Sequence, residues 1–404
     1  MTSSSNQALA GIRVLELATY IAGPFCATVL AEFGADVIKV ELPGSGDPCR
    51  KYGVASAVPD ASYMFLSEGR NKKSITLDLR TAEGRDIAKR LVADVDVVIE
   101  NFQVGTLEDW GLGWGVLKEI NPRLVLARIT GFGQTGPMKD EPGFGRIGVA
   151  FGGLAFLTGY PDRAPTSPGT ATLADYVAGL FAANGVLVAL RARDHYGVGQ
   201  FIDIGLYEGI FRLLDEMVPL YGATGKVRQR SGPASANAVP HSNFQTGDGR
   251  WISIACTTDT ILARLAVAMS QPELAAPAGK WETYAQRRVD EAAVYNLVTT
   301  WAKAQTADQL LAACRSAQVP CGPIYSMDEI FADPQYRERG NLTTVRDTRL
   351  GELTVANVVP RLSETPGAVN TLGPTLGAHN EEIYGQYLGL SLEQIAALEK
   401  KNVI

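Results

Sequence analysis

Over its first half the chain keeps returning to one pattern: a short apolar run, a tight turn, an amphipathic stretch, then another apolar run. Ile12–Ala18 (IRVLELA) reads as a buried strand and Phe25–Phe33 as a short helix. Gly34 stops that helix before a second strand, Asp36–Leu42 (DVIKVEL). Two strands joined this way form a right-handed βαβ unit. The pattern resumes with strand Ser74–Leu79, helix Ala82–Ala93 capped by Thr81, strand Asp96–Phe102, a helix around Leu117 and strand Leu124–Thr130. Helix Tyr176–Arg191 and strand Gln200–Gly205 complete it. The expected fold is α/β, a doubly wound, Rossmann-like parallel sheet. Such sheets bind ligands beyond the carboxyl ends of their strands.

Composition shifts near Thr224. Residues 225–248, rich in Gly, Ser, Pro and Ala, read as linker and loop. Trp251–Cys256 then reads as a strand, followed by helices at Ile261–Met269, Glu291–Lys303 and Asp308–Ala317. The division expected is a large domain over 1–224, a smaller α+β domain over 225–325, and a tail, 326–404, returning to the first. That tail holds loops, short strands such as Glu352–Asn357, and a last helix Leu392–Lys400.

Composition excludes several classes of function. The net charge of −6 argues against a nucleic-acid partner. Five scattered cysteines do not suggest a disulfide framework, and zinc spacings such as CxxC or HExxH are absent. No apolar run reads as approaching the roughly 20 residues of a membrane span, because Gly179, Asn184 and Gly185 interrupt Val177–Leu190. The N-terminus MTSSSNQALAG lacks the basic-then-apolar order of a signal peptide. The expectation is a cytoplasmic protein without membrane, metal or prosthetic group.

A dinucleotide-binding sheet wants GxGxxG after its first strand. Here that turn reads Thr19-Tyr20-Ile21-Ala22-Gly23-Pro24, with one glycine and a proline that removes a donor. Nicotinamide chemistry is disfavoured. Four other segments fall at predicted carboxyl ends of strands: Asn71-Lys72-Lys73, Leu77-Asp78-Leu79-Arg80, Asn101-Phe102-Gln103 and Ile129-Thr130-Gly131-Phe132. Together they offer backbone amides and cations to a nucleotide. Asp175 opens the long apolar helix. It reads either as an N-cap or as a carboxylate that attacks an activated thioester. Gly169, Ala171, Ala174 and Gly179 around it would admit a bulky acyl group, and helix amides would keep the acid ionised.

The chain resembles the class III CoA-transferases, the family of formyl-CoA and carnitine CoA-transferases, over nearly its whole length. The resemblance rests on "GIRVLELATYIAGPFCATVLAEFGADVIKVELPGSGD", "NKKSITLDLRTAEGR", "DVVIENFQVGTLEDWGLGW", "NPRLVLARITGFGQTGP", "GVGQFIDIGLYEG" and "VPCGPIYSMDEI". It implies that Asp175 is the nucleophile, passing through aspartyl anhydride and aspartyl-CoA thioester intermediates with an acyl-CoA and a carboxylic acid as substrates. It implies CoA contacts at Ile21, Ala22, Leu77, Asp78, Leu79, Arg80, Asn101, Phe102, Gln103, Ile129, Thr130, Gly131 and Phe132.

Two basic CoA contacts of formyl-CoA transferase correspond here to Leu42 and Asp109, so Arg50, Lys72, Lys73 and Arg80 become the candidate phosphate ligands. No glycine-rich flap is visible, and Ser231–Asn243 is the loop in the comparable region. The resemblance also implies an interlocked homodimer, or pairing with a related second subunit. It leans toward members that move CoA between dicarboxylates, as from succinyl-CoA to malate. Arg146, Arg163, Arg228, Arg230 and His241 are candidates for the distal carboxylate. Two alternatives stand beside it. One is an α-methylacyl-CoA racemase, disfavoured because Phe144 occupies the place of its histidine. The other is a non-catalytic partner subunit.

Overall fold

In the computed structural model, residues 7–404 except Ala171 are described. Strands β1 (Arg13–Glu16), β2 (Asp36–Glu41), β3 (Lys72–Thr76), β4 (Val97–Glu100), β5 (Val125–Thr130) and β6 (Phe201–Gly205) are all parallel. Their order, β3-β2-β1-β4-β5-β6, reverses between β1 and β4. A doubly wound sheet opens a crevice at that reversal, at the carboxyl ends of its strands.

The sheet forms because its central strands are apolar on both faces. Leu15, Ile38, Ile75, Val98 and Leu126 point into one core with the helix Ala82–Val92. Val14, Val37, Val97, Ile99 and Val125 point into the other, against the helices Ala22–Glu32 and Leu173–Tyr196. The outer edge of β3 is covered by the returning tail. The Ser74 amide donates to His379 Nδ1 at 3.1 Å and the Thr76 amide to Asn380 Oδ1 at 2.9 Å. Open edge groups are thereby satisfied.

Contacts divide the chain into two units. One comprises Met1–Ala155, Ser167–Gly225 and Gln335–Ile404; the other comprises Phe156–Thr166 and Lys226–Pro334. The smaller unit holds an antiparallel sheet of His241–Gln245, Trp251–Ala255 and Cys321–Pro323. Helices including Asp259–Ala268, Glu291–Lys303 and Ala307–Ser316 pack on it around Phe244, Ile252, Leu265 and Val298. Phe156–Thr166 joins this unit through backbone, as the Gly232 amide donates to Gly159 O at 2.9 Å.

Three expectations need correction. The stretch 225–248 is not all loop, since strand His241–Gln245 lies within it. Strand β3 begins at Lys72, so Lys72 and Lys73 stand at its amino end, away from the ligand edge. The long helix runs unbroken over 24 residues, Leu173–Tyr196. By length and composition alone it would cross a membrane, with a mean hydropathy of 1.7 over 18 residues, 44% of them buried. Gly179 does not interrupt it. A Cβ there would sit 2.8 Å from Ala22 O, so glycine lets the first helix approach closely.

Candidate active site

At the carboxyl edge of the sheet lies a cavity of about 300 Å³. Thr19 borders it from the turn after β1, Leu42, Gly46 and Asp47 from that after β2, Leu77 to Arg80 after β3, and Phe102 and Trp110 after β4. Its place follows from the strand order. The Asp78 amide donates to Val403 O at 2.8 Å, so the chain's last residues hold the Leu77–Arg80 segment. Phe102 and Trp110 meet edge to face at 5.2 Å and form an apolar wall. Sequence reasoning brought Leu77, Asp78, Leu79, Arg80 and Phe102 here but missed Thr19, Asp47 and Trp110. All three lie within stretches that carry the family resemblance, Thr19 and Asp47 in the first and Trp110 in the third.

Among the candidate cations, burial decides. Lys72 Nζ is ion-paired to Glu16 at 2.8 Å with neither side chain exposed, and Arg50 Nε pairs with Glu41 at 2.6 Å inside the protein. Neither reaches a solvent-borne phosphate, which corrects the expectation for both. Lys73 pairs with Asp36 and Glu382 at the opposite edge. Arg80 lines the cavity with its side chain 63% exposed, held by Asp78 at 2.8 Å.

The turn after β1 is pinned at Thr19 and Tyr20. The Thr19 amide donates to Asn101 Oδ1 at 2.8 Å, and Asn101 Nδ2 returns a bond to Thr19 O at 2.7 Å. The Tyr20 amide donates to Asp47 Oδ1 at 3.0 Å. Ile21 and Ala22 follow, both buried, opening the helix Ala22–Glu32 with no side-chain cap. Gln103 Nε2 donates to Asp140 O at 3.1 Å. Ile129 and Thr130 are buried at the end of β5. Gly131 meets Gly143 so closely that a Cβ would lie 2.8 Å from Gly143 Cα, and Phe132 stacks edge-on against Phe151. Ile21, Ala22, Asn101, Gln103 and Ile129–Phe132 stand at the same sheet edge, outside the lining of the cavity.

Asp175 is not the N-cap. Thr172 holds that place, and Asp175 is the third residue of the helix. Tyr176 packs its ring edge-on against Phe25 at 4.6 Å, and Gly179 touches the first helix at Ala22. These contacts bring the start of the long helix beside the turn after β1. Among the described residues no cation pairs with Asp175, unlike Glu16, Glu41 and Asp47. Burial pushes its carboxyl up to about 6, only partly opposed by its own backbone amide. Desolvation therefore outweighs the helix amides expected to keep it acidic, yet the group is still mostly ionised at neutral pH. Ala171 lies outside the described residues. Gly169 has open space around it.

No histidine of this unit serves Asp175. His195 is 20 residues further along the same helix, about 30 Å at 1.5 Å per residue. His379 is bonded at the edge of β3. Phe144, 64% exposed, meets Tyr20 edge-on at 6.1 Å. Among the dicarboxylate candidates, Arg146 is exposed in the first turn of the helix Gly145–Phe151. Gly148 of that helix packs against Ala174, next to Asp175. Arg163, Arg228, Arg230 and His241 belong to the smaller unit. There Arg230 bonds to Phe156 O and Tyr160 O, and Arg228 to Asn237.

Residues 9–380 match the family model described as CoA-transferase family III. The chain is 46% identical to the succinyl-CoA–L-malate CoA-transferase alpha subunit of Chloroflexus aurantiacus over 100% of its own length and 94% of the relative's. It is 49% identical to the beta subunit from the same organism over 98% of each chain. The crystal structure of a CAIB/BAIF family protein from Brucella suis superposes with a TM-score of 0.83 at 36% identity, covering 95% of this chain and 100% of that one. With this match over residues 9–380 and this identity over the whole length of the relatives, the chain belongs to CoA-transferase family III and is a CoA-transferase.

Proposed function

We propose that this chain moves CoA from succinyl-CoA to a malate-like dicarboxylate, with Asp175 as covalent carrier. The observation that carries the reading is a half-buried carboxylate with no cationic partner among the described residues, pushed up to about 6 by burial at the mouth of a helix. A poorly solvated carboxylate is a stronger nucleophile than one in water.

An Asp175 oxygen attacks the thioester carbonyl; the C–S bond breaks, leaving a mixed anhydride and CoA thiolate. The thiolate attacks the aspartyl carbonyl of the anhydride, a C–O bond breaks, and succinate departs, leaving aspartyl-CoA thioester. The acceptor carboxylate attacks that thioester and again expels thiolate. The thiolate then attacks the acceptor's acyl carbonyl, forming the new thioester and restoring the Asp175 carboxylate. Protons balance at every step, so no acid–base partner is needed. Backbone amides at the open start of the helix Ala22–Glu32 are suited to the oxyanions.

Incubating the protein with succinyl-CoA, quenching with hydroxylamine and mapping the adduct by mass spectrometry tests the covalent step. Label is expected on Asp175 alone; label on another acid removes it from its role. Asp175→Ala is expected to lose at least about a thousandfold in kcat while remaining folded.

Arg146 is proposed to bind the acceptor's distal carboxylate, because its guanidinium is exposed on the helix that packs beside Ala174. Arg146→Ala should raise the KM for malate about tenfold and leave the KM for succinyl-CoA within a factor of two. A monocarboxylate acceptor should be unaffected.

The active assembly is proposed to be a dimer of this chain. The long helix leaves Leu180, Phe181, Leu187 and Val188 at 39–61% exposure in the single chain, an apolar stripe suited to a second copy. Near-equal identity to an alpha and a beta subunit supports one chain filling both places. Light scattering on the chain expressed alone should give twice the monomer mass with full activity. Activity that appears only on adding a related chain would instead establish a heteromer.

A further inference from the structure

Tyr20 adopts a backbone φ of 63°, a left-handed conformation that bulky side chains avoid. Such a residue persists only where its surroundings over-determine it, and it marks functional turns. Here the surroundings are polar and buried. Asp47 Oδ1 accepts the amides of Tyr20 at 3.0 Å and Cys49 at 2.8 Å. Asp47 Oδ2 is ion-paired with Lys39 Nζ at 2.6 Å, the two side chains being 1% and 2% exposed. Lys39 also binds Glu16 at 2.7 Å and donates to Ala18 O at 3.1 Å, and Glu16 holds Lys72 in turn. Asn101 clamps Thr19 by both its amide and its carbonyl. Ala18, Thr19 and Tyr20 are thus fixed by three side chains that do not belong to the turn.

We propose that Asp47, oriented by Lys39 and acting together with Asn101, is a positioning residue that locks Tyr20 in its left-handed turn. The lock fixes the Ile21–Ala22 backbone for the acyl-CoA thioester. The proposal rests on the reading of that turn as a CoA contact and assigns its geometry to the buried ion pair beneath it. The pair acts on that geometry through the backbone of Ala18 and Tyr20.

A double-mutant cycle tests it, because glycine adopts a φ of 63° without strain. Asp47→Ala is expected to lower kcat with succinyl-CoA at least tenfold while the KM for the acceptor acid changes less than twofold. In a Tyr20→Gly background the same substitution should cost less than threefold, since the turn no longer needs to be held. Asp47→Asn keeps an oxygen for the two amides and should recover at least half of the lost factor on a logarithmic scale. An equal cost of Asp47→Ala in both backgrounds overturns the proposal.

If Asp47→Ala does not fold, because Lys39 keeps only Glu16 of its two carboxylate partners, Asn101→Ala replaces it in the cycle. That substitution strands no charge and is expected to show the same coupling to Tyr20→Gly; additivity again overturns the proposal. Failure of the site reading looks different. If saturating CoA leaves hydrogen exchange at the Tyr20–Gly23 amides of the wild-type protein unchanged, the turn is not part of the CoA site, whatever the cycle gives.

Discussion

Asp175 carries a stability penalty along with its chemistry. Folded, its carboxyl is pushed by burial from an ordinary 3.8 to about 6. Between those two pH values the folded chain binds more protons at this residue than the unfolded chain. Stability therefore falls as pH rises through the window, by ~3 kcal/mol once pH exceeds the folded value. Asp175→Asn should remove the penalty. Urea unfolding at matched protein concentration should show that variant more stable by up to ~3 kcal/mol at pH 7.5, with the gain gone below about pH 4. If Asp175 is the carrier proposed above, the wild-type kcat/KM should decline below about pH 6 as its carboxylate takes up a proton. The residue was legible in the sequence, through its place before an apolar run and through the family resemblance. Its raised pKa was not, because desolvation depends on what packs around the helix start. The same reason explains Lys72 and Arg50: a lysine or arginine in a sequence looks available until its buried carboxylate partner is seen.

At the scale of elements, the site is assembled by close backbone approaches and by one borrowed segment. Gly179 lets the long helix lie against Ala22, and Gly131 lies against Gly143. Gly179→Val is expected to destabilise the protein by about 1–3 kcal/mol and to lower kcat, measured by thermal unfolding and assay together. The C-terminus supplies Val403 O to the Asp78 amide. Removing Val403 and Ile404 should therefore raise the KM for succinyl-CoA several-fold while kcat stays within about twofold. A drop in kcat at unchanged KM would count against that role for the tail. Local signals served well where one residue decides an element: Thr81 caps the helix Ala82–Val92, its hydroxyl accepting from the Gly84 amide as expected. They served poorly at the long helix, whose N-cap Thr172 makes no side-chain capping bond. They also failed at β3, where charged Lys72 hides the start of a strand.

For the molecule as a whole, periodic apolar runs were enough to read a doubly wound parallel sheet, because each strand carries its core-facing residues in its own sequence. Fold class and membership of the CoA-transferase family followed from local pattern and resemblance. Tertiary structure decided which charges are free, where the cavity lies and what holds the turn after β1. Arg80 stays at the surface, while Glu16, Lys39 and Asp47 form a buried network next to the cavity. It also decided that residues 156–166 join the smaller unit. The physical reason is common to all of these. Periodicity and capping act over a few residues and are written locally. Desolvation, ion pairing and shape arise from residues brought together across the chain, as Ser74 is with His379, and exist only once the fold has formed.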